Sequence, residues 1–221
     1  MRKKYTILFI TVISIIIMAI VEVLIKPNYA MKSLIKIICF CVIPIIISRI
    51  NKTIDVKSFL KFSKKSLKTA LTLGVFIYLL IFIGYLIANN FYNFSSITSS
   101  LNETLGINKN NFIFVALYIS FINSLLEEFF FRGFAFTNLK HSFTRKNTYI
   151  VSSFLFAIYH IAIMNSWFNI YITILILIGL FIGGLIFNYF NEKENNIYIS
   201  WLIHMFANFS INTIGFILLT K

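Results

Sequence analysis

Long apolar stretches alternate with short polar ones along almost the whole 221-residue chain. Several apolar stretches reach the ~18 residues that suggest a membrane-spanning helix. A secretory signal peptide would leave one short apolar stretch at the N-terminus, so the first stretch is expected to be retained. The pattern predicts an all-α, polytopic transmembrane helical bundle of about seven spans. The predicted spans are approximately Tyr5–Ile25, Leu34–Ile50, Thr69–Ala88, Asn111–Asn138, Tyr149–Met164, Ile170–Phe187 and Ile197–Leu219.

Basic residues between the spans predict the orientation of the chain. They precede the first span and crowd the segment from Arg49 to Lys68, which has the single acid Asp55. Lys and Arg concentrate in cytoplasmic connections, so we expect a multi-pass protein of the cell membrane with a cytoplasmic N-terminus. The basic segment is expected to be a loop or interfacial helix beside anionic lipid. The polar segments Asn89–Asn110 and Asn188–Asn196 are expected to be loops.

The composition excludes most functions of soluble proteins. Hydrophobic residues make up 59% of the chain and charged residues 12%, whereas about a quarter of the residues of soluble domains are charged. The net charge of +13 is concentrated between spans and is not interleaved as a binding face, so nucleic acid is not an expected partner. Membrane lipids are expected partners. Cys39 and Cys41 lack metal-site spacing and are expected to pack or face lipid.

Two features within the spans are interpreted as structural. Lys36 lies near the end of the second span, where its long side chain is expected to snorkel to the surface. Gly179 and Gly183 form a GxxxG spacing, which favours close helix packing in lipid. The chain is divided at this stage into residues 1–110, holding the first three spans and the basic segment, and residues 111–221, holding the rest.

Costly polar residues cluster within three of the spans. An ionisable residue inside a span costs about 2.5 to 3.5 kcal/mol on insertion scales. From the helical rise, the cluster lies roughly 10 to 17 Å below the cytoplasmic boundary in all three helices. Each residue alone has a structural explanation as a packing salt bridge or a core histidine, but together they indicate a functional site. The candidate catalytic residues are Glu127, Glu128, Arg132, His160, His204 and Asn208.

The residue types suit peptide hydrolysis. A buried carboxylate such as Glu127 can act as the base for water, with His160 holding the same water. His204 and Asn208, one turn apart, can donate to the oxyanion. Glu128 and Arg132, also one turn apart, can pair and orient the base. His141 lies in a basic loop and is left out of the site.

The involvement of a metal stays open at this stage. Two histidines and a carboxylate with an open water position are also the ligands of a catalytic zinc. The chain has no HExxH, and its two candidate histidines lie on different helices. We therefore expect no cofactor and keep zinc as the alternative.

The motifs resemble those of the CPBP family of CAAX proteases and bacteriocin-processing (Abi) enzymes. Glu127-Glu128 with Arg132 resembles EExxxR, Phe156 to His160 resembles FxxxH, and His204 to Asn208 resembles HxxxN/D. The three occur in family order within about 111–215. The resemblance implies a helical membrane fold with a CAAX-protease/Abi-like core in the C-terminal half, whose paired Glu, two His and Asn form a proteolytic site.

The resemblance also suggests a substrate and two rival functions. The Lys-, Asn- and Ile-rich composition is typical of an AT-rich bacterial genome, in which prenylated CAAX proteins are not expected. We therefore expect a hydrophobic or membrane-associated peptide or protein as the substrate. The resemblance to bacterial members of the family implies a role in bacteriocin immunity or peptide maturation. The rivals are a non-enzymatic immunity or scaffold protein and an ion or proton transporter, in which buried Glu and His would form a relay.

Overall fold

Seven long helices form the part of the chain that the structure describes, and no strand occurs there. The structure is a computed structural model that describes residues 2–62, 64, 66–94, 107–164 and 167–220. The helices are α1 (Arg2–Ile20, continued by the π-helical Val21–Ile25), α2 (Tyr29–Ile50), α3 (Leu67–Ala88), α4 (Phe112–Leu139), α5 (Arg145–Ile163), α6 (Ile170–Glu194) and α7 (Tyr198–Thr220). The predicted all-helical fold is confirmed. Residues 95–106 of the predicted polar loop lie outside the described residues.

Six of these helices are long and apolar enough to cross a membrane. Among the predicted spans, α5 alone does not meet that measure, because its 19 residues include Arg145, Lys146, Asn147 and His160. It also carries a polar stripe that includes Thr148, Ser152 and Ser153. All three side chains are buried against neighbouring helices. This stripe therefore serves contacts inside the bundle, and the membrane crossing of α5 stays a prediction.

The predicted loop at 188–196 is wrong over most of its length. Helix α6 continues to Glu194 and ends at Asn195, which has a left-handed φ of 51°. Within the helix, the buried Asn188 donates to the Ser153 hydroxyl at 3.1 Å, and Asn191 accepts from Thr137. These asparagines link helices, so their polarity does not indicate a loop.

Close packing of α5 on α6 depends on a different glycine from the predicted pair. A Cβ atom added to Gly184 would lie 2.9 Å from the Cβ and 3.0 Å from the Cα of Ser153, whereas one added to Gly179 or Gly183 would meet nothing within 4 Å. The assignment of close packing to the GxxxG pair is therefore wrong. The small residue is needed at Gly184, the next position along the chain.

The basic segment between α2 and α3 is a packed loop. Its only helical turn in the described residues is the 3-10 turn Ser58–Leu60, so the interfacial-helix alternative is not seen there. Phe59 is almost fully buried and lies on Gly133 of α4. Its carbonyl accepts from the backbone N–H of Ile197 at 3.1 Å. The loop therefore closes one end of the bundle.

A polar anchor ties this loop to α4. The Asn138 side chain accepts from the backbone N–H of Asp55 at 2.8 Å and donates to its carbonyl at 2.7 Å. Partial burial acts to raise the pKa of the Asp55 carboxyl, but hydrogen bonds from Ser58 and Lys57 and the charge of Lys3 outweigh it and hold that pKa below its ordinary value. Asp55 is therefore ionised at neutral pH and organises the loop.

Replacing Gly184 by leucine should destabilise the protein. The added side chain would meet the Ser153 backbone, and overpacking of this kind costs about 1 to 3 kcal/mol. We expect the melting temperature in detergent to fall by several degrees. The matched control is Gly183→Leu, whose side chain enters open space and should leave the melting temperature unchanged. Equal effects of the two substitutions would contradict this packing arrangement.

Candidate active site

The two adjacent acids lie at a change of helix type in α4. The α-helical turn Ser124–Glu127 is preceded by the π-helical Tyr118–Asn123 and followed by the π-helical Glu128–Phe136. π-Helical segments within α-helices are frequent at functional sites. Glu127 is 2% exposed and Glu128 0%. Both carboxylates therefore lie inside the bundle.

One oxygen of Glu127 is fully occupied by protein donors. Lys36 of α2 approaches Oε1 with its Nζ at 2.6 Å, and the Asn123 amide donates to the same oxygen at 3.1 Å. Lys36 also donates to the Asn123 side-chain oxygen. The interpretation of Lys36 as a snorkelling residue is wrong, because its side chain is buried and ends in this ion pair.

The other oxygen of Glu127 faces both histidines. Oε2 lies 3.7 Å from His160 Nε2 and 3.6 Å from His204 Nε2. Both separations exceed a hydrogen bond, and this buried oxygen has no hydrogen-bond partner among the described residues. Three polar atoms from α4, α5 and α7 thus converge on one point.

A hydrogen bond orients each imidazole ring. Nδ1 of His160 lies 2.8 Å from the Phe156 carbonyl oxygen, and Nδ1 of His204 lies 3.0 Å from Glu128 Oε1. Both partners are acceptors only, so each Nδ1 carries the hydrogen. In the neutral ring, each Nε2 therefore presents a lone pair towards Glu127. Phe187 stacks on His204 at 5.3 Å between ring centroids.

Arg132 balances the charge of Glu128. Its Nη1 lies 3.2 Å from Glu128 Oε1, a close charge contact in which both side chains are fully buried. The guanidinium carbon lies 4.0 Å from the centroid of the Phe156 ring and 4.8 Å from that of Phe187. These cation–π contacts replace water around the guanidinium group. The predicted intrahelical pair is confirmed.

The pair of Glu128 and Arg132 supports His204 rather than the base. Glu128 contacts the His204 ring, while the groups that hold Glu127 are Lys36 and Asn123. The expectation that the pair orients Glu127 is therefore not what the contacts show. Each carboxylate has its own cation, so the two negative and two positive charges at the site balance one another.

Asn208 lies one turn after His204 and is mostly buried. Its amide donates to the Ile119 carbonyl at 3.2 Å, in the π-helical part of α4. An amide nitrogen carries two hydrogens, so one remains for another acceptor. The structure thus links Glu127, Glu128, Arg132, His160 and His204 through direct contacts, whereas Asn208 contacts Ile119 instead. The catalytic roles of all six residues stay predictions.

Two site residues were missed by sequence analysis. Asn123 lies four residues before Glu127 and therefore on the same helix face, a signal that was present in the sequence. Lys36 gave no such signal, since its partner is 91 residues away. A lysine near the end of a span ordinarily reaches the surface.

A comparison with protein families identifies the segment that carries the site. Residues 109–210 match the family model described as type II CAAX prenyl endopeptidase Rce1-like. The matched segment is just under half of the chain and contains all six predicted site residues. No curated protein and no solved structure matches the chain significantly. The resemblance to the CPBP family is confirmed for this segment, and the match implies a protease.

Removing Arg132 should destabilise the protein strongly. Arg132→Met would leave the Glu128 charge buried without its cation, and breaking a buried pair costs about 3 to 5 kcal/mol. The double variant Arg132→Met/Glu128→Gln should recover much of that loss, because no uncompensated charge remains. Denaturant unfolding in detergent measures both. A double variant less stable than Arg132→Met would contradict the charge balance described.

Proposed function

We propose that this multi-pass membrane protein, whose residues 109–210 form an Rce1-like domain, hydrolyses peptide bonds with a water molecule activated by Glu127. The family match and the six apolar helices support an intramembrane endopeptidase. The observation that carries the mechanism is the free Oε2 of Glu127, buried and directed at the Nε2 atoms of two histidines.

The spacing of these atoms suits a bridging water. Carboxylate Oε2 and a neutral Nε2 both accept hydrogen bonds, so at 3.7 Å they have no hydrogen to share. A water molecule supplies two hydrogens, one for Oε2 and one for His160 Nε2. Its oxygen lone pairs then point away from both acceptors. In this arrangement Glu127 and His160 hold the water molecule and orient its oxygen for attack on a peptide carbonyl carbon.

The reaction proceeds in two steps. In the first, the water oxygen bonds to the carbonyl carbon of the scissile peptide while Glu127 Oε2 takes a proton from the water. The carbonyl oxygen becomes an oxyanion. In the second, Glu127 returns the proton to the peptide nitrogen, the C–N bond breaks and the oxyanion collapses to a carboxyl group. The products are a new C-terminus and a new amine.

His204 and Asn208 are the proposed donors to the oxyanion. A donor at His204 Nε2 requires the doubly protonated ring, whose Nδ1 donates to Glu128 Oε1 at 3.0 Å. Asn208 has the second amide hydrogen that Ile119 does not take. Preorganised donors of this kind are worth about 10² to 10³ in rate when one is removed.

We propose a mechanism without a metal ion, with zinc as the alternative. The described residues place no three His, Cys, Asp or Glu side chains in an arrangement suited to a metal. The Lys36 ammonium group at 2.6 Å from Glu127 Oε1 already provides a positive charge there. A divalent cation at Oε2 would be repelled by that charge, whereas a neutral water molecule is not.

The proposed substrate is a hydrophobic or membrane-associated peptide or protein. The site lies inside the helical bundle, so a chain segment must enter among apolar helices to reach Glu127. A role in bacteriocin immunity or peptide maturation is part of this proposal. Nucleic acid has no part in it, and membrane lipids surround the bundle.

The proposed orientation places the N-terminus in the cytoplasm of a cell-membrane protein. Lys3 donates to the Thr53 carbonyl at 2.5 Å, and Asp55 is bonded to Asn138. The basic N-terminus, the basic loop and the end of α4 therefore share one end of the bundle. Positive charge gathered at one end favours the cytoplasmic side.

Glu127→Gln should abolish cleavage of a membrane-peptide library by the purified protein. The amide cannot accept the water proton, and a general base contributes about 10² to 10⁴ in rate. Mass spectrometry of the products, with and without a zinc chelator, measures the effect. Cleavage by the wild-type protein should survive the chelator.

A second, partly buried acid provides the control for this experiment. Glu22 of α1 pairs with Lys32 and takes no part in the proposed chemistry, so Glu22→Gln should cleave at close to the wild-type rate. Loss of activity with chelator would favour zinc over free water. Absence of cleavage by the wild-type protein would overturn the proposed activity in favour of a binding-only immunity protein.

A further inference from the structure

Two buried lysines project from one face of α2 into the bundle. Lys32 and Lys36 are one helical turn apart, and each is 5% exposed. Lys32 pairs with Glu22 of α1 at 2.7 Å, and Lys36 pairs with Glu127 of α4 at 2.6 Å. Both lysines thus form an ion pair with a glutamate of a neighbouring helix, but Glu22 is partly exposed and only Lys36 reaches the candidate site.

The ammonium group of Lys36 has an enclosed binding place. Glu127 Oε1 and the Asn123 oxygen accept from it. Two aromatic rings flank it, with Nζ 5.4 Å from the Phe40 centroid and 5.0 Å from the Tyr159 centroid. Such contacts favour a desolvated cation. These contacts hold the ammonium charge in one position. A lysine that snorkels to the surface would have no such fixed position.

This arrangement distinguishes the two oxygens of Glu127. Oε1 accepts from both Lys36 and Asn123, so its lone pairs are used. Oε2 has no such partner and faces the histidines. A carboxylate without these contacts could rotate and exchange its two oxygens, and it would carry an uncompensated charge.

We propose that Lys36 is a positioning residue for the hydrolytic site, which fixes the Glu127 carboxylate through Oε1 and keeps it ionised so that Oε2 acts as the base. This inference rests on the proposed function. Lys36 lies outside the matched segment 109–210, so α2 from the N-terminal half completes the site. The matched domain would be a poor catalyst without that helix.

The test compares Lys36→Met with Lys32→Met in the full-length protein. Lys36→Met leaves the buried Glu127 carboxylate without its cation, and Lys32→Met leaves the partly buried Glu22 carboxylate without its own. Both substitutions should therefore lower the melting temperature, Lys36→Met by at least as much as Lys32→Met. Lys36→Met should lower kcat by about 10- to 100-fold, as small misplacements of a catalytic group do, while KM changes by less than about twofold. Lys32→Met should keep kcat close to the wild-type value.

Two further readouts separate positioning from mere stability. Without the ammonium charge, ionised Glu127 is disfavoured, so the acidic limb of the pH–kcat profile should move to higher pH in Lys36→Met and not in Lys32→Met. Lys36→Arg keeps the positive charge and should recover part of the lost kcat. Equal kcat losses in Lys36→Met and Lys32→Met, tracking their melting temperatures, would overturn the proposal.

An infrared measurement keeps the inference independent of cleavage. At neutral pH, Lys36→Met should show a protonated-carboxyl band that disappears when Glu127→Gln is added, and wild type should lack this Glu127 band. If the wild-type protein cleaves no peptide but the band appears in Lys36→Met and disappears when Glu127→Gln is added, the proposed function is wrong. The inference that Lys36 keeps Glu127 ionised then still holds. If no such band appears in Lys36→Met, the proposed role of Lys36 is wrong, whether or not the protein is a protease.

Discussion

Glu127 and Glu128 place two adjacent negative charges inside one membrane helix, and the surrounding structure must compensate both. Each uncompensated charge would cost several kcal/mol inside the bundle, so each needs its own cation. Glu128 finds Arg132 one turn later on the same helix, whereas Glu127 depends on Lys36 of α2. The first pair lies within α4, but the second requires α2 to dock against α4. Folding of the bundle and assembly of the site are thereby linked.

Aromatic residues surround these charges and strengthen the electrostatic interactions between them. Phe40 stacks on Phe130 with centroids 4.2 Å apart, and Phe156 lies beside both Arg132 and His204. This shell excludes water and lowers the local dielectric constant, so each ion pair and hydrogen bond is stronger than at a surface. Because bulk water is excluded, the single water molecule proposed at Glu127 is held only by well-directed groups, Oε2 of Glu127 and Nε2 of His160.

The sequence predicted the pairing of Glu128 with Arg132 and missed the contacts that join distant parts of the chain. The four-residue spacing of Glu128 and Arg132 is a property of one helix, so their pairing could be predicted. Lys36 could not be assigned to Glu127, because no local pattern links α2 to α4. Asn188 was assigned to a loop because it begins a polar segment, yet it donates a hydrogen bond to Ser153 of α5 from within α6. Likewise, the GxxxG spacing shows that small residues recur but does not show which of them faces α5.

A single-turnover cleavage in ¹⁸O-labelled water tests the central claim, that Glu127 acts as a base towards water and not as a nucleophile. The measurement is mass spectrometry of both the peptide product and the enzyme segment that contains Glu127. The mechanism predicts one ¹⁸O atom in every new peptide carboxyl group and none in Glu127. Label in the Glu127 carboxyl group, or unlabelled product, would show a covalent intermediate and contradict it.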